Sequence, residues 1–215
     1  MSTNLTAFYD DVLPGLKGIT PGVNTLKAIR DTIQDFCERT QIWRHTPAAV
    51  NSVSGTSEYA IVVPAGTMLS DILWATYNGE WPALEAKSIS ELDVLFPNGW
   101  REEEGEVDFY YLTLDAKIRL ALTPSSGITG AIKTEVSLKP DMTATSVDDI
   151  LYIDWRSEIA CGVKARLMGQ AGKPWSSAVQ GAREQADYMA GVGEAGYVAD
   201  RSGTRAPIRT KAYSR

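Results

Sequence analysis

The feature of this sequence that most limits its fold is a change of hydrophobic period, which occurs twice along the chain. Over 24–44, Leu26, Ile29, Ile33 and Phe36 recur at helical spacing. From Ser57 to Pro140 the pattern changes to short runs of β-branched and aromatic residues separated by turn residues, which is typical of strands. Helical spacing then returns at 147–169 and near Ser176. This order predicts an α+β fold, a helical bundle with an inserted small antiparallel β domain.

Turn and capping residues predict where the main elements begin and end. A short helix is expected over 5–13, and Asn24 or Thr25 should cap the long helix that Pro47 stops. Asn78 and Gly79 readily adopt positive φ and predict a hairpin between 71–77 and 80–84, followed by a helix over 88–96. Further strands are expected at 58–63, 107–113, 116–122 and 131–139.

The two C-terminal helices should pack through small and apolar residues. Gly162 lies on the apolar face of the first of them and predicts a close approach of another helix. The apolar stripe predicted for the second helix consists of Val179, Ala182, Ala186 and Met189. This packing pattern ends after Gly191.

The last 21 residues differ from the rest in charge. They hold five basic residues and one acid, whereas the preceding 194 residues hold 16 basic and 26 acidic residues and carry a formal charge of −10. This segment contains glycine and proline and few large apolar side chains, so it cannot bury enough apolar surface to fold alone. We therefore predict that it is an extended C-terminal arm. The predicted segments are 1–56 (N-terminal helices), 57–140 (β insertion), 141–194 (C-terminal helices completing the bundle) and 195–215 (basic arm).

The residue types argue against most enzyme classes. His45 is the only histidine, and Cys37 and Cys161 are the only cysteines, so we predict no disulfide framework and no zinc or iron–sulfur site. The acidic run at 102–108 is interpreted as a solvated loop. The G-x-G-x-x-G pattern at 191–196 follows a helix rather than a strand, which excludes the dinucleotide interpretation. We therefore predict no catalytic residue, no cofactor and no metal, and no membrane span.

The six tryptophans divide by their surroundings. Trp43, Trp74 and Trp155 lie in periodic segments and are expected in the core. The three tryptophans beside turns are expected at subunit contacts, and these are Trp81, Trp100 and Trp175.

Two stretches resemble a known family. The sequence FCERTQIWR at 36–44 looks like the "FCERT-x-x-W" end of the first long helix in head-to-tail connector (adaptor, or neck) proteins of tailed bacteriophages. GVKARLM at 162–168 with GKPWS at 172–176 resembles the "GAKARL…GKPW" junction of the same family, although Val163 replaces the usual small residue. The Pro-Gly pairs within 14–24 also fit, and in element order the resemblance spans about residues 5–190.

The resemblance implies a non-enzymatic protein of the virion neck, between capsid and tail, made in the host cytoplasm. Such proteins form a homo-oligomeric ring, dodecameric by family resemblance, which binds the portal protein and tail or nozzle proteins. Genomic DNA passes through the ring without sequence-specific binding. By analogy the arm contacts the portal or a neighbouring subunit through Tyr197, Arg201, Arg205, Ile208, Arg209, Lys211, Tyr213 and Arg215.

Two other functions stay open at the level of the sequence. A carbohydrate-active enzyme would use the acidic loop and aromatic side chains, and it predicts a concave site with two carboxylates roughly 5 to 10 Å apart. An accessory binding module with a basic disordered tail predicts a monomer and a strongly salt-sensitive interaction with RNA or another acidic partner. The adaptor interpretation predicts closed rings.

Overall fold

The computed structural model describes residues 2–81, 83–97, 99–101 and 103–201. The chain divides into two compact units, which we call the helical unit (1–42 and 147 onward) and the β unit (43–146). This arrangement confirms the predicted α+β class. The elements in chain order are β1 (Ser2–Asn4), a 3-10 turn (Leu5–Phe8), α1 (Tyr9–Val12), α2 (Val23–Thr40), β2 (Arg44–His45), β3 (Glu58–Ala60), β4 (Thr67–Tyr77), β5 (Glu85–Ala86), α3 (Ile89–Leu95), β6 (Phe109–Leu112), β7 (Lys117–Leu120), β8 (Ile132–Pro140), β9 (Ser146–Asp148), α4 (Asp149–Ile153), α5 (Arg156–Met168) and α6 (Ala178–Asp200).

Helix α2 is the predicted long amphipathic helix, and it is shorter than expected at its C-terminus. Gln41 adopts a left-handed conformation with φ of 51°, and its backbone N–H donates to the carbonyl of Cys37 at 2.9 Å. This C-cap ends the helix at Thr40, before the predicted Arg44. The N-cap is Gly22 rather than Asn24 or Thr25.

The predicted helix over 147–169 is two helices, α4 and α5, separated at Asp154 and Trp155. Asp148 caps α4 by accepting a hydrogen bond from the Ile150 backbone N–H at 3.0 Å. The break turns the Trp155 side chain into the core, where its ring lies 5.9 Å from the ring of Phe36. The expectation that Trp155 is buried is therefore correct, although no helix continues through it.

Helix α6 contacts the bundle through a different face from the predicted one. Its buried residues are Gly181, Tyr188, Gly191, Val192, Ala195 and Ala199, while Val179, Ala182, Ala186 and Met189 are exposed. The predicted apolar stripe of this helix is therefore wrong as a core face. The reason is that glycines allow α6 to approach α5 closely, so that small residues rather than the stripe make the contact.

The same helix also corrects the predicted start of the arm. Helix α6 runs to Asp200, and Ala195 and Ala199 are 0% and 4% exposed. Residues 195–200 are therefore helical and packed, although the sequence assigned them to an extended arm. Residues 202–215 lie outside the described part of the chain.

The β unit contains two sheets. β2, β8 and β4 form an antiparallel sheet in that order, and β3, β7, β6 and β5 form a second sheet in which only the β5–β6 pair is parallel. Residues 43–56, which the sequence assigned to the N-terminal helical segment, belong to this unit, because β2 and Val50 both pair with β8. The predicted strands at 58–63, 71–77, 107–113, 116–122 and 131–139 are all present with shifted ends.

The Asn78-Gly79 turn forms, but it does not join two paired strands. Asn78 and Gly79 have φ of 52° and 74°, as the turn requires. The backbone N–H of Leu84 donates to Ala75 at 2.8 Å, yet no strand is present in the described residues between Gly79 and Glu85. Strand β4 instead pairs along its length with β8. These two strands are distant in sequence, so a local turn signal does not reveal their pairing.

Helix α3, predicted over 88–96, begins after Ser88 with a capping box. The Ser88 side chain accepts from the Glu91 backbone N–H, and the Glu91 carboxylate accepts from the Ser88 backbone N–H at 2.7 Å. The helix packs Leu92 against Trp100 and Ala121. Trp100 is only 1% exposed, so its predicted place at a subunit contact is wrong.

Candidate functional site

The structure describes two of the eight residues proposed for partner binding, and it brings them together. Tyr197 lies in the last turn of α6 and is 48% exposed, and Arg201 follows as the C-cap. The Arg201 guanidinium lies over the Tyr197 ring, 4.0 Å from its centroid, in a cation–π contact. The other six residues of this set, which are Arg205, Ile208, Arg209, Lys211, Tyr213 and Arg215, lie outside the described part of the chain.

The exposed side of α6 is apolar at heptad spacing. We call the row formed by Val179, Ala182, Ala186, Met189 and Gly193 the α6 outer face, and all five are exposed. Val179 is 85% exposed, and a Cβ atom added at Gly193 would meet nothing within 4 Å. A row of small and apolar residues at spacings of three and four suits a second helix, as in coiled coils. The sequence signal for this surface was present, but it was interpreted as the core face.

The opposite side of α6 fixes the outer face in position. Tyr188 is 3% exposed, and its hydroxyl donates to the Asp35 carboxylate of α2 at 2.7 Å. Burial, together with this hydrogen bond, raises the pKa of Tyr188 above its usual value. A Cβ atom at Gly162 of α5 would lie 2.6 Å from the Tyr188 ring and 2.7 Å from the Thr32 methyl group. The three helices therefore meet at Gly162, where the sequence predicted the close approach of another helix.

A second surface, on the β unit, is a concave one with acidic walls. A cavity of about 790 Å³ lies between the turn after β4 and the loops before β6 and after β7. We call it the acidic cleft, and its carboxylates are those of Glu80, Glu85, Glu106 and Asp108. Trp81 lies at this cleft and is 74% exposed, with its ring 6.4 Å from the ring of Trp74. Of the other predicted contact tryptophans, Trp175 is half-buried.

The titratable groups suggested by the sequence lie as follows in the structure. All four cleft carboxylates are exposed, whereas a glycosidase acid is a desolvated carboxyl group. His45 lies in β2 opposite Val136, and Cys37 is buried. Burial raises the pKa of Cys161 to about 11, which leaves almost no thiolate at neutral pH. Among the described residues, no group of three or more His, Cys, Asp or Glu side chains is placed to hold a metal ion. No helix in the described part of the chain is long and apolar enough to cross a membrane.

Comparison with known proteins identifies the family. A search of curated proteins finds no match. The family model described as SU10 adaptor protein matches residues 8–211, which is almost the whole chain and includes both stretches whose motifs resemble phage connectors. The chain therefore belongs to the SU10 adaptor protein family, and it is a structural protein of a phage virion.

Proposed function

We propose that this protein is a ring-forming adaptor that joins the portal to the tail and extends the channel through which DNA leaves the capsid. The observation that carries the proposal is the family match over residues 8–211. A virion adaptor with no enzymatic role agrees with that family. The proposed ring is cyclic, with a dodecameric stoichiometry taken from the resemblance, and each subunit presents one surface to a different surface of its neighbour.

The α6 outer face supports subunit association. Exposed apolar patches on folded proteins usually mark contacts with other macromolecules. Val179 at 85% and Met189 at 42% exposure are large apolar groups left in solvent, and the small residues between them permit a close helix approach. We assign this face to the contact with the neighbouring subunit or with the portal.

The charge distribution supports a channel that releases DNA. Residues 1–194 carry a formal charge of −10, and phosphate is repelled by acidic surfaces at close range. A basic channel wall would instead hold DNA by counterion release. DNA is therefore a passing cargo of the ring rather than a ligand with a dedicated site.

The C-terminal segment is proposed as the part that fastens the subunit to its partner. Tyr197 and Arg201 lie at the end of α6, and the other basic and apolar residues of the set follow them in the sequence. The salt-sensitive part of the affinity comes from the basic residues. Neutralising the basic residues alone should weaken attachment without abolishing it.

The direct test is assembly on the cognate portal, measured by native mass spectrometry and electron microscopy. We expect closed rings on the portal, and monomers in isolation are compatible with portal-templated assembly. The variant pair Ala186→Asp and Met189→Asp, combined in one chain, should stay folded by circular dichroism and lose ring formation. Ser157→Asp adds a charge at an exposed position of α5 outside the outer face and serves as the control. Absence of any ring in the presence of the portal would refute the proposed function.

A further inference from the structure

We propose that the acidic cleft of the β unit is the receptor for residues 202–215 of a neighbouring copy of this chain. The inference rests on the proposed ring, because it takes the bound segment from the next subunit. It adds the surface that receives the segment and the chemistry of recognition.

The cleft has an apolar lining suited to a peptide. Val107 and Pro124 are buried in its wall, and Phe109 and Ile128 are partly exposed to the open space. Trp81 projects a large aromatic surface into solvent at its edge. Water-exposed tryptophan rings bind cationic and aromatic side chains well, through cation–π contacts and burial of apolar area.

The charge of the cleft is strongly one-sided. Among the residues that the structure describes, its lining contains four carboxylates and no lysine or arginine. Glu85 forms an ion pair with Lys87. In the described part of the chain, Glu80, Glu106 and Asp108 form no ion pair, so three negative charges face the cleft without a compensating cation.

The sequence of 202–215 complements this surface. It contains no acid and four basic residues, Arg205, Arg209, Lys211 and Arg215, for a charge of +4. Ile208 and Tyr213 alternate with the basic residues and supply apolar groups for the lining. Fourteen residues of extended chain span at most about 50 Å, which sets the reach of this segment. DNA is a poor alternative occupant, because the cleft would repel its phosphates.

Binding is tested directly with a fluorescent peptide of residues 202–215 and the full chain at a concentration where it is monomeric. Saturable binding is expected, with at least a several-fold loss of affinity between 50 and 300 mM salt. The variant Glu106→Gln/Asp108→Asn should weaken binding by about tenfold, from two rim charges of ordinary strength. Trp81→Ala should also weaken it.

A matched control variant distinguishes the effect of charges in the cleft from the effect of the chain's overall negative charge. Glu103→Gln/Glu104→Gln removes the same charge from the same loop at exposed positions that do not line the cleft. This control should change the affinity less than twofold. Absence of peptide binding, or equal weakening by the two double variants, would overturn the proposal.

The source of the segment is tested by placing a photo-crosslinking phenylalanine analogue at position 213 of the full chain assembled on the portal. A product of twice the subunit mass, linked to a peptide that contains Trp81 or Glu106, is the expected result. A crosslink confined within single subunits would overturn the assignment to a neighbour. Rings that assemble without any peptide binding would refute this inference alone. Peptide binding without rings would refute the proposed function and the assignment of the segment to a neighbour, and it would support only the cleft as the receptor.

Discussion

Replacing Gly162 by alanine tests whether the three long helices cross where the structure places them. The added Cβ atom would lie 2.6 and 2.9 Å from two carbons of the Tyr188 ring and 2.7 Å from the Thr32 methyl group. Both neighbours are buried, at 3% and 0% exposure. Three contacts below 3.0 Å require a shift of at least one buried side chain or of a helix backbone.

The cost follows from what each neighbour would lose by moving. Overpacking of a core contact costs about 1–3 kcal/mol. Rotation of Tyr188 would break its 2.7 Å hydrogen bond to the Asp35 carboxylate, a charged acceptor whose bond contributes about 1.5–3 kcal/mol. Alanine recovers about 1 kcal/mol through its better helix propensity. Overpacking less this gain leaves a loss of about 0–2 kcal/mol in the free energy of unfolding if the hydrogen bond is kept. Partial weakening of that bond adds to the loss, so we expect about 1–2 kcal/mol.

Thermal unfolding followed by helix circular dichroism measures this loss. For a chain of this size, 1–2 kcal/mol lowers the melting temperature by about 2–8 °C. The larger Gly162→Leu change should lower it further. Gly193→Ala is the matched control in α6, because its added Cβ meets nothing within 4 Å, and it should leave the melting temperature equal or higher.

The reasoning would be refuted if Gly162→Ala melted at or above the native temperature. A second measurement locates the clash. Thr32→Ser removes the methyl group but keeps the hydroxyl that donates to the Ala28 carbonyl at 2.8 Å. In combination with Gly162→Ala it should recover part of the loss, with a coupling energy of about 0.5–1 kcal/mol. A coupling of zero would mean that Thr32 does not limit the space at Gly162.

Three further predictions concern single groups. Burial raises the pKa of Tyr110 to about 12 in the folded chain, so the folded state holds its proton more tightly, and the free energy of unfolding should fall between about pH 10 and 12. Tyr110→Phe should remove up to about 2 kcal/mol of that fall in denaturant titrations, and an undiminished fall would contradict this. Burial raises the pKa of Cys161 to about 11, so its thiol should react with iodoacetamide at pH 8 about 100-fold more slowly in the native than in the unfolded chain. Mass spectrometry measures both rates, and comparable rates would contradict this prediction. Ser88→Ala removes a capping box and should cost about 1 kcal/mol in urea unfolding, whereas an equal cost for Ser90→Ala would argue against the cap.

Hydrophobic period and capping residues were sufficient to predict most elements. Strands β3, β4, β6, β7 and β8, helix α3 and the order helices, sheet, helices follow from local patterns, whereas β2 and β5 were not predicted. Gly162 was also placed at a helix crossing, because a glycine on an apolar face has few other roles. These features depend on the residue and its near neighbours in sequence.

The candidate surfaces could be predicted only in part. The apolar row of α6 is visible in the sequence, but its period does not say whether it faces the bundle or solvent. Glu106 and Asp108 of the cleft were predicted to lie in a solvated loop, and both are exposed. The concave surface that they share with Trp81 depends on the pairing of distant strands. No local signal places residues 80–85 beside 105–109 and 124–128.

By itself, the sequence determined the α+β class, most of the elements, the charge asymmetry between the C-terminal segment and the rest, and the family resemblance through FCERTQIWR and GKPWS. Tertiary structure decided which face of α6 is buried, where that helix ends and which strand pairs with β4. The physical reason is that period and capping are properties of a single segment, whereas burial is shared between segments. A stripe of Val179, Ala182, Ala186 and Met189 is apolar enough for a core, but Gly181 and Gly191 let α5 approach more closely on the other side, and that contact leaves the stripe in solvent.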